Sequence, residues 1–116
     1  MTEAAIVTAD AARVIRGWSS GAKVLFGHDA VAAIGQTLDL IVPENYRARH
    51  WAGFHAAIVR GKSDPNGVAS VPVRRSDGSA TRLAVRLMVL ADAYGKGVGA
   101  VAVFAPLRDD VTLGAL

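Results

Sequence analysis

A chain of 116 residues has room for one compact domain. Its 52% hydrophobic against 20% charged residues can build a real core, so it is not a disordered tail. Absence of cysteine excludes a disulfide framework, a thiolate metal or haem ligand and a cysteine nucleophile. No apolar run approaches the roughly 18 residues that span a bilayer, and the opening MTEAAIVTAD has no basic n-region of a signal peptide, so a cytoplasmic protein is expected. Thirteen Lys and Arg against ten Asp and Glu leave a net charge of +3. The bases are mostly arginines scattered singly (Arg13, Arg16, Arg47, Arg49, Arg60, Arg82, Arg86, Arg108), with only Arg74 and Arg75 adjacent. Aromatics are 6%, so neither the cation clusters nor the stacking platforms of a nucleic-acid binder are present.

No repeat, linker or low-complexity segment divides the chain, which is read as a single domain over 1–116 with its core at about 4–106. Ala4–Asp10 reads as a strand and Arg13–Trp18 as a second, with an Ala-Ala turn between them. Ser19–Gly27 is one or two helical turns. His28–Gly35 is another short helix, with Asp29 as N-cap and Gly35 as its stop. The apolar turn Leu38–Val42 leads to Pro43, which with Glu44 opens the longest helix, and Gly61 closes it. At roughly 100° per residue, Arg47, His50, Trp51, Ala57 and Ile58 fall within about 60° of Phe54, so His50 lies on the apolar stripe and His55 at its edge.

After Gly61 the period changes to two. Val68–Arg75, the turn Ser-Asp-Gly-Ser and Ala80–Leu90 form a hairpin around Asp77-Gly78. In its second strand Leu83, Val85, Leu87 and Val89 alternate with Arg82, Ala84, Arg86 and Met88, so the odd positions face the core. A turn at 92–97 leads to the last strand, Val98–Phe104. The plan is α+β: a five-stranded antiparallel sheet with short helices and one long helix on one face, and a ligand cavity between helix and sheet. No GxSxG, P-loop or Rossmann pattern occurs, and Gly95–Gly97–Gly99 leads into a strand rather than a helix. Nothing points to catalysis by the chain's own side chains.

This order resembles the PAS domain over nearly the whole chain. The strings that carry the resemblance are Ala5–Asp10, Trp18 with Leu25-Phe26-Gly27-His28, Ile34-Gly35, Ile41–Glu44, Arg75–Ser79 and the glycine-punctuated last strand. Within PAS domains, the segment 42–51 is similar to the haem-binding branch of bacterial sensors, the rhizobial oxygen-sensor kinases and the direct oxygen sensors. That resemblance implies haem b with His50 as proximal iron ligand, and a neutral imidazole suits haem iron. It places Trp51, Phe54 and Ile58, which read first as core, and Val101 beside the haem, with Val85 and Leu87 on the distal wall. The family's propionate-binding residues are not matched, and Arg47, Arg60 and Lys62 are nominated for that role as cations. The position of the family's oxygen-stabilising arginine is Ala69 and that of its distal methionine is Gly67, while Met88 alternates outward. A pocket of that kind binds CO or NO and holds O₂ weakly, because only bound O₂ gains much from a buried donor.

The function implied is a gas or redox sensor in signal transduction. One alternative is an apo PAS module for dimerisation that binds another small apolar ligand. Another is a haem protein with peroxidase-like or group-transfer activity at its open distal site. The partners implied are a second copy of the chain, or a separate or downstream signalling protein. The segment 108–116, with Asp109-Asp110-Val111-Thr112, is similar to the usual closing motif.

Overall fold

Alternating polar and apolar residues build one curved sheet, and the residues that punctuate the sequence set its corners. The structure, a computed structural model, describes residues 4–62, 67–108 and the backbone of 114–115. Strands β1 (Ala5–Asp10) and β2 (Ile15–Trp18) are followed by helices α1 (Ser20–Phe26), α2 (Ala30–Ala33) and α3 (Arg47–Arg60). Strands β3 (Val68–Arg74), β4 (Ala80–Ala91) and β5 (Gly97–Pro106) complete the antiparallel set. The strand order is β2-β1-β5-β4-β3, and the two residues of β6, Gly114–Ala115, add a parallel edge beside Ala69 and Ser70.

The corners follow local chemistry. Gly78 at φ 85° turns the β3–β4 hairpin, and the Asp77 carboxylate accepts from the Ser79 amide at 2.8 Å. The next turn repeats the device, with Asp92 accepting from the amides of Tyr94 and Lys96. Ser19 caps α1 by accepting from the Ala22 amide, and its hydroxyl also ties the helix to β1 through the Ile6 amide and the Ala4 carbonyl.

The core lies between the sheet and the helices. Phe26 meets Phe104 edge to face with centroids 5.0 Å apart, and Val7, Ile15, Phe54, Val73, Leu83 and Val85 close around them. On β5 the inner side chains are Ala100, Ala102 and Phe104. Met88 pairs with Val101 and Arg86 with Val103 across the other face.

Three expected elements differ in detail. The long helix begins at Arg47 rather than Pro43, because Pro43 is extended (ψ 144°) and the chain first makes a 3-10 turn over Glu44–Tyr46. Leu38–Leu40, expected as a plain turn, is a second 3-10 turn. The second strand begins at Ile15, two residues later than expected, because Arg13 takes the left-handed conformation at φ 66°.

The C-terminus of α3 is pinned where β5 begins. Gly61 caps the helix at φ 68°, and a Cβ at Gly97 would run into the backbone of Ile58, its carbonyl oxygen first. Gly97→Ala should therefore cost about 1–3 kcal/mol, as overpacked sites do. In a thermal melt this reads as a fall of at least about 4 °C. A melt unchanged from the wild type would show that α3 does not press on β5.

Candidate functional site

The tight turn after β1 sets the site. Asp10 accepts from the amides of Ala12 (2.9 Å) and Val14 (3.1 Å), closing a loop in which Arg13 is the left-handed residue. A non-glycine residue held there costs of order 1–3 kcal/mol and persists only where its surroundings over-determine it. They do: the Arg13 amide donates to the Asp10 carbonyl and its own carbonyl accepts from Leu38. The conformation drives the side chain inward, where it has no solvent exposure at all.

There the guanidinium reaches three side chains on two elements, the 3-10 turn and α3. One terminal nitrogen donates to the Asp39 carboxylate at 2.8 Å and to Nδ1 of His50, also at 2.8 Å. The guanidinium carbon stands 4.0 Å from the ring centre of Trp51, which covers it from solvent as a cation–π partner. Nε and the other terminal nitrogen have no hydrogen-bond partner among the described residues. Burial pushes the Asp39 carboxyl upward, but Arg13's hydrogen bond and charge, helped by Trp51 and Arg47, outweigh it and hold the carboxyl below its usual range.

His50 links this cluster to the cavity. Its pKa is pushed down to about 4, first by burial and then by the Arg13 cation, with Asp39 pulling the other way. Arginine can only donate, so the Arg13–His50 bond makes Nδ1 the acceptor and leaves the proton on Nε2. The ring lies 6.2 Å from that of Phe54, and both line a cavity of about 340 Å³ between α3 and the inner sheet face. Its walls are Val7, Ala9, Leu38, Ile41, Val71, Val85, Leu87, Ala100, Ala102 and Phe104, among others, with polar atoms only toward Tyr46, Arg49 and His50.

The residues expected at one site are divided by the fold. His50, Phe54, Val85 and Leu87 meet on the cavity wall. Ile58 and Ala69 are half-buried and pack on the core outside that wall. The Gly67 carbonyl accepts from the Leu87 amide at 3.4 Å at the head of β3. Arg47 folds back onto the carbonyls of Val42 (3.2 Å) and Asp39 (3.4 Å) and lines a polar cleft with Arg74, Arg75 and His28. Trp51 is 45% exposed, because its work is to cover Arg13. Val101 lies on the sheet face away from the cavity, beside Met88. The closing string 109–112 lies outside the described residues. Arg13, Asp39, Tyr46, Arg49 and Ala102 belong to the site although no local pattern marks them.

Haem would make specific demands of this arrangement. An iron ligand needs a free imidazole lone pair, with the other nitrogen free to donate its proton to an acceptor. Here Nδ1 accepts from Arg13, so Nε2 carries the proton and presents no lone pair. At about 340 Å³ the cavity is also at the small end of ligand pockets, which run from roughly 300 to 1,000 Å³. The residues as arranged do not fit a haem held through His50. No group of three or more metal-ligating side chains occurs among the described residues either.

No family model matches the chain, and no curated protein matches it. Solved structures do. The PAS domain of a protein from Colwellia psychrerythraea is 19% identical, with a TM-score of 0.76 over 90% of this chain and 86% of that one. The PAS-B domain of Drosophila melanogaster Cycle, determined with bound glycerol, is 12% identical, with a TM-score of 0.71 over 89% of this chain and 99% of that one. A LOV protein from Rhodobacter sphaeroides is 10% identical, with a TM-score of 0.75 over 93% of this chain and 61% of that one. The chain has the PAS fold.

The depressed His50 pKa has a signed consequence. Between about pH 6.5 and 4 the unfolded chain binds a proton that the folded chain refuses, so stability is full above this window and is lost as the pH falls through it. From pH 7 to 4.5 the wild type should lose about 2.5 kcal/mol more than His50→Phe in urea unfolding. Parallel pH profiles for the two proteins would show that His50 titrates normally.

Proposed function

We propose that the chain is a sensory PAS module whose cavity takes a small, mainly apolar organic molecule. The observation that carries this reading is the cavity itself: set between α3 and the inner sheet face, lined almost wholly by aliphatic and aromatic side chains, and edged by three polar residues. Occupancy would act on α3, which is pinned to the sheet at Gly61 and Gly97 and to the β1–β2 turn through Arg13. A ligand that binds one setting of these contacts better than another shifts the population between them. The output would pass to a second copy or a signalling partner across the outer sheet face, where Met88 and Val101 lie.

Ethylbenzene is a suitable first probe for the cavity. It should bind saturably and raise the melting temperature in a concentration-dependent way. Ala102→Phe, which fills the cavity from β5, should abolish that rise while leaving a cooperative melt. No response in the wild type to ethylbenzene or to its carbonyl analogue acetophenone would remove the reading. Haemin supplies the opposing outcome: a sharp Soret band that shifts with CO and is lost in His50→Ala would establish a haem sensor instead.

A further inference from the structure

We infer that Arg13 turns His50 into a fixed hydrogen-bond donor, so that the cavity selects an apolar molecule carrying an acceptor oxygen, a carbonyl above all. This rests on the cavity reading and gives it a ligand class.

The inference starts from what a neutral histidine does when it is free. It exchanges between two tautomers and can offer a ligand either a lone pair or a proton. Arg13 removes that choice. It has only N–H groups to offer, it is fully buried, and it sits 2.8 Å from Nδ1. A proton on Nδ1 would set two donors against each other at that distance, with a cation behind one of them. The imidazole therefore keeps its proton on Nε2, and the structure gives that nitrogen no protein partner among the described residues.

Nothing nearby competes to reverse the arrangement. Asp39 could draw a proton onto Nδ1, but its carboxylate is engaged by Arg13 at 2.8 Å. Phe54, the ring nearest His50, is apolar. Tyr46 and Arg49 belong to the same rim, with the Arg49 guanidinium 5.9 Å from the Tyr46 ring centre. Arg13 itself is held by its backbone at φ 66° and by the Trp51 ring, so it cannot swing away without opening the β1–β2 turn.

The consequence for a ligand is asymmetric. A hydrocarbon that covers Nε2–H strips that donor of its water and gives nothing back. A carbonyl oxygen at the same place satisfies it, and the neighbouring cations favour its partial negative charge. An ammonium group would meet a donor and two guanidinium groups. Arg13 is thus a positioning residue: it need not touch the ligand, and it acts by fixing which end of the imidazole carries the proton.

Three near-isosteric probes separate the cases: acetophenone, ethylbenzene and 1-phenylethylamine. The wild type should bind acetophenone several-fold to about tenfold more tightly than ethylbenzene, and the amine most weakly. His50→Phe should bring acetophenone and ethylbenzene to equal affinity. Long-range proton–nitrogen NMR of the wild-type imidazole reads the tautomer directly and needs no variant. It should show Nε2 protonated at pH 7, with the Nε2–H signal shifting on addition of acetophenone and not of ethylbenzene. In Arg13→Met the same spectrum should show mixed tautomers and a pKa returned toward the ordinary range.

A wild-type imidazole protonated on Nδ1, or equal affinities for acetophenone and ethylbenzene, overturns the inference while leaving the cavity reading intact. Failure of both probes to bind removes the cavity reading and the ligand class with it. If Arg13→Met does not fold, the wild-type tautomer and the probe ratio still decide the matter.

Discussion

A buried guanidinium with one carboxylate to answer it organises this protein. Burying a charge is costly unless it is paired and hydrogen-bonded, and such a pair is weak evidence of net stabilisation. Arg13 is kept inside by three contacts from two distant parts of the chain: Asp39 in a 3-10 turn, and His50 and Trp51 on α3. Each lies far along the sequence, so the cation reports on whether turn, helix and strand have come together. Its left-handed backbone is the local strain that this tertiary agreement sustains.

The same interaction joins architecture to chemistry. The PAS fold supplies a sheet, a crossing helix and a space between them, and many sheet-and-helix domains could do as much. What distinguishes this cavity is that its one histidine is held on the far side by a donor. The imidazole is kept neutral by burial and by a cation, and oriented by a hydrogen bond that reads only one way.

Much of the fold was legible along the chain because short-range chemistry decides it. Asp77-Gly78 and Gly61 demand their turn and cap, and the alternation from Leu83 to Val89 states which face of β4 is buried. The 3.6-residue period placed His50 and Phe54 together on the cavity side of α3. Val101 shows where this ends: in Val98–Phe104 every residue is apolar or glycine, so neither face is marked and the inward parity cannot be read. Trp51 fails for a related reason, since the helical wheel turns it inward but a neighbour outside the helix decides what it covers. Arg13 left no signal at all. A single arginine after Asp-Ala-Ala looks like surface, and its burial depends on partners 26 and 37 residues away.

The most direct test is a crystal structure of the protein with acetophenone at a resolution that fixes side-chain hydrogen bonds. The account requires the carbonyl oxygen within hydrogen-bonding distance of His50 Nε2 while Arg13 still donates to Nδ1. A ligand seated with its methyl or phenyl edge against Nε2, or a His50 ring released from Arg13 to offer a lone pair to the cavity, would contradict it.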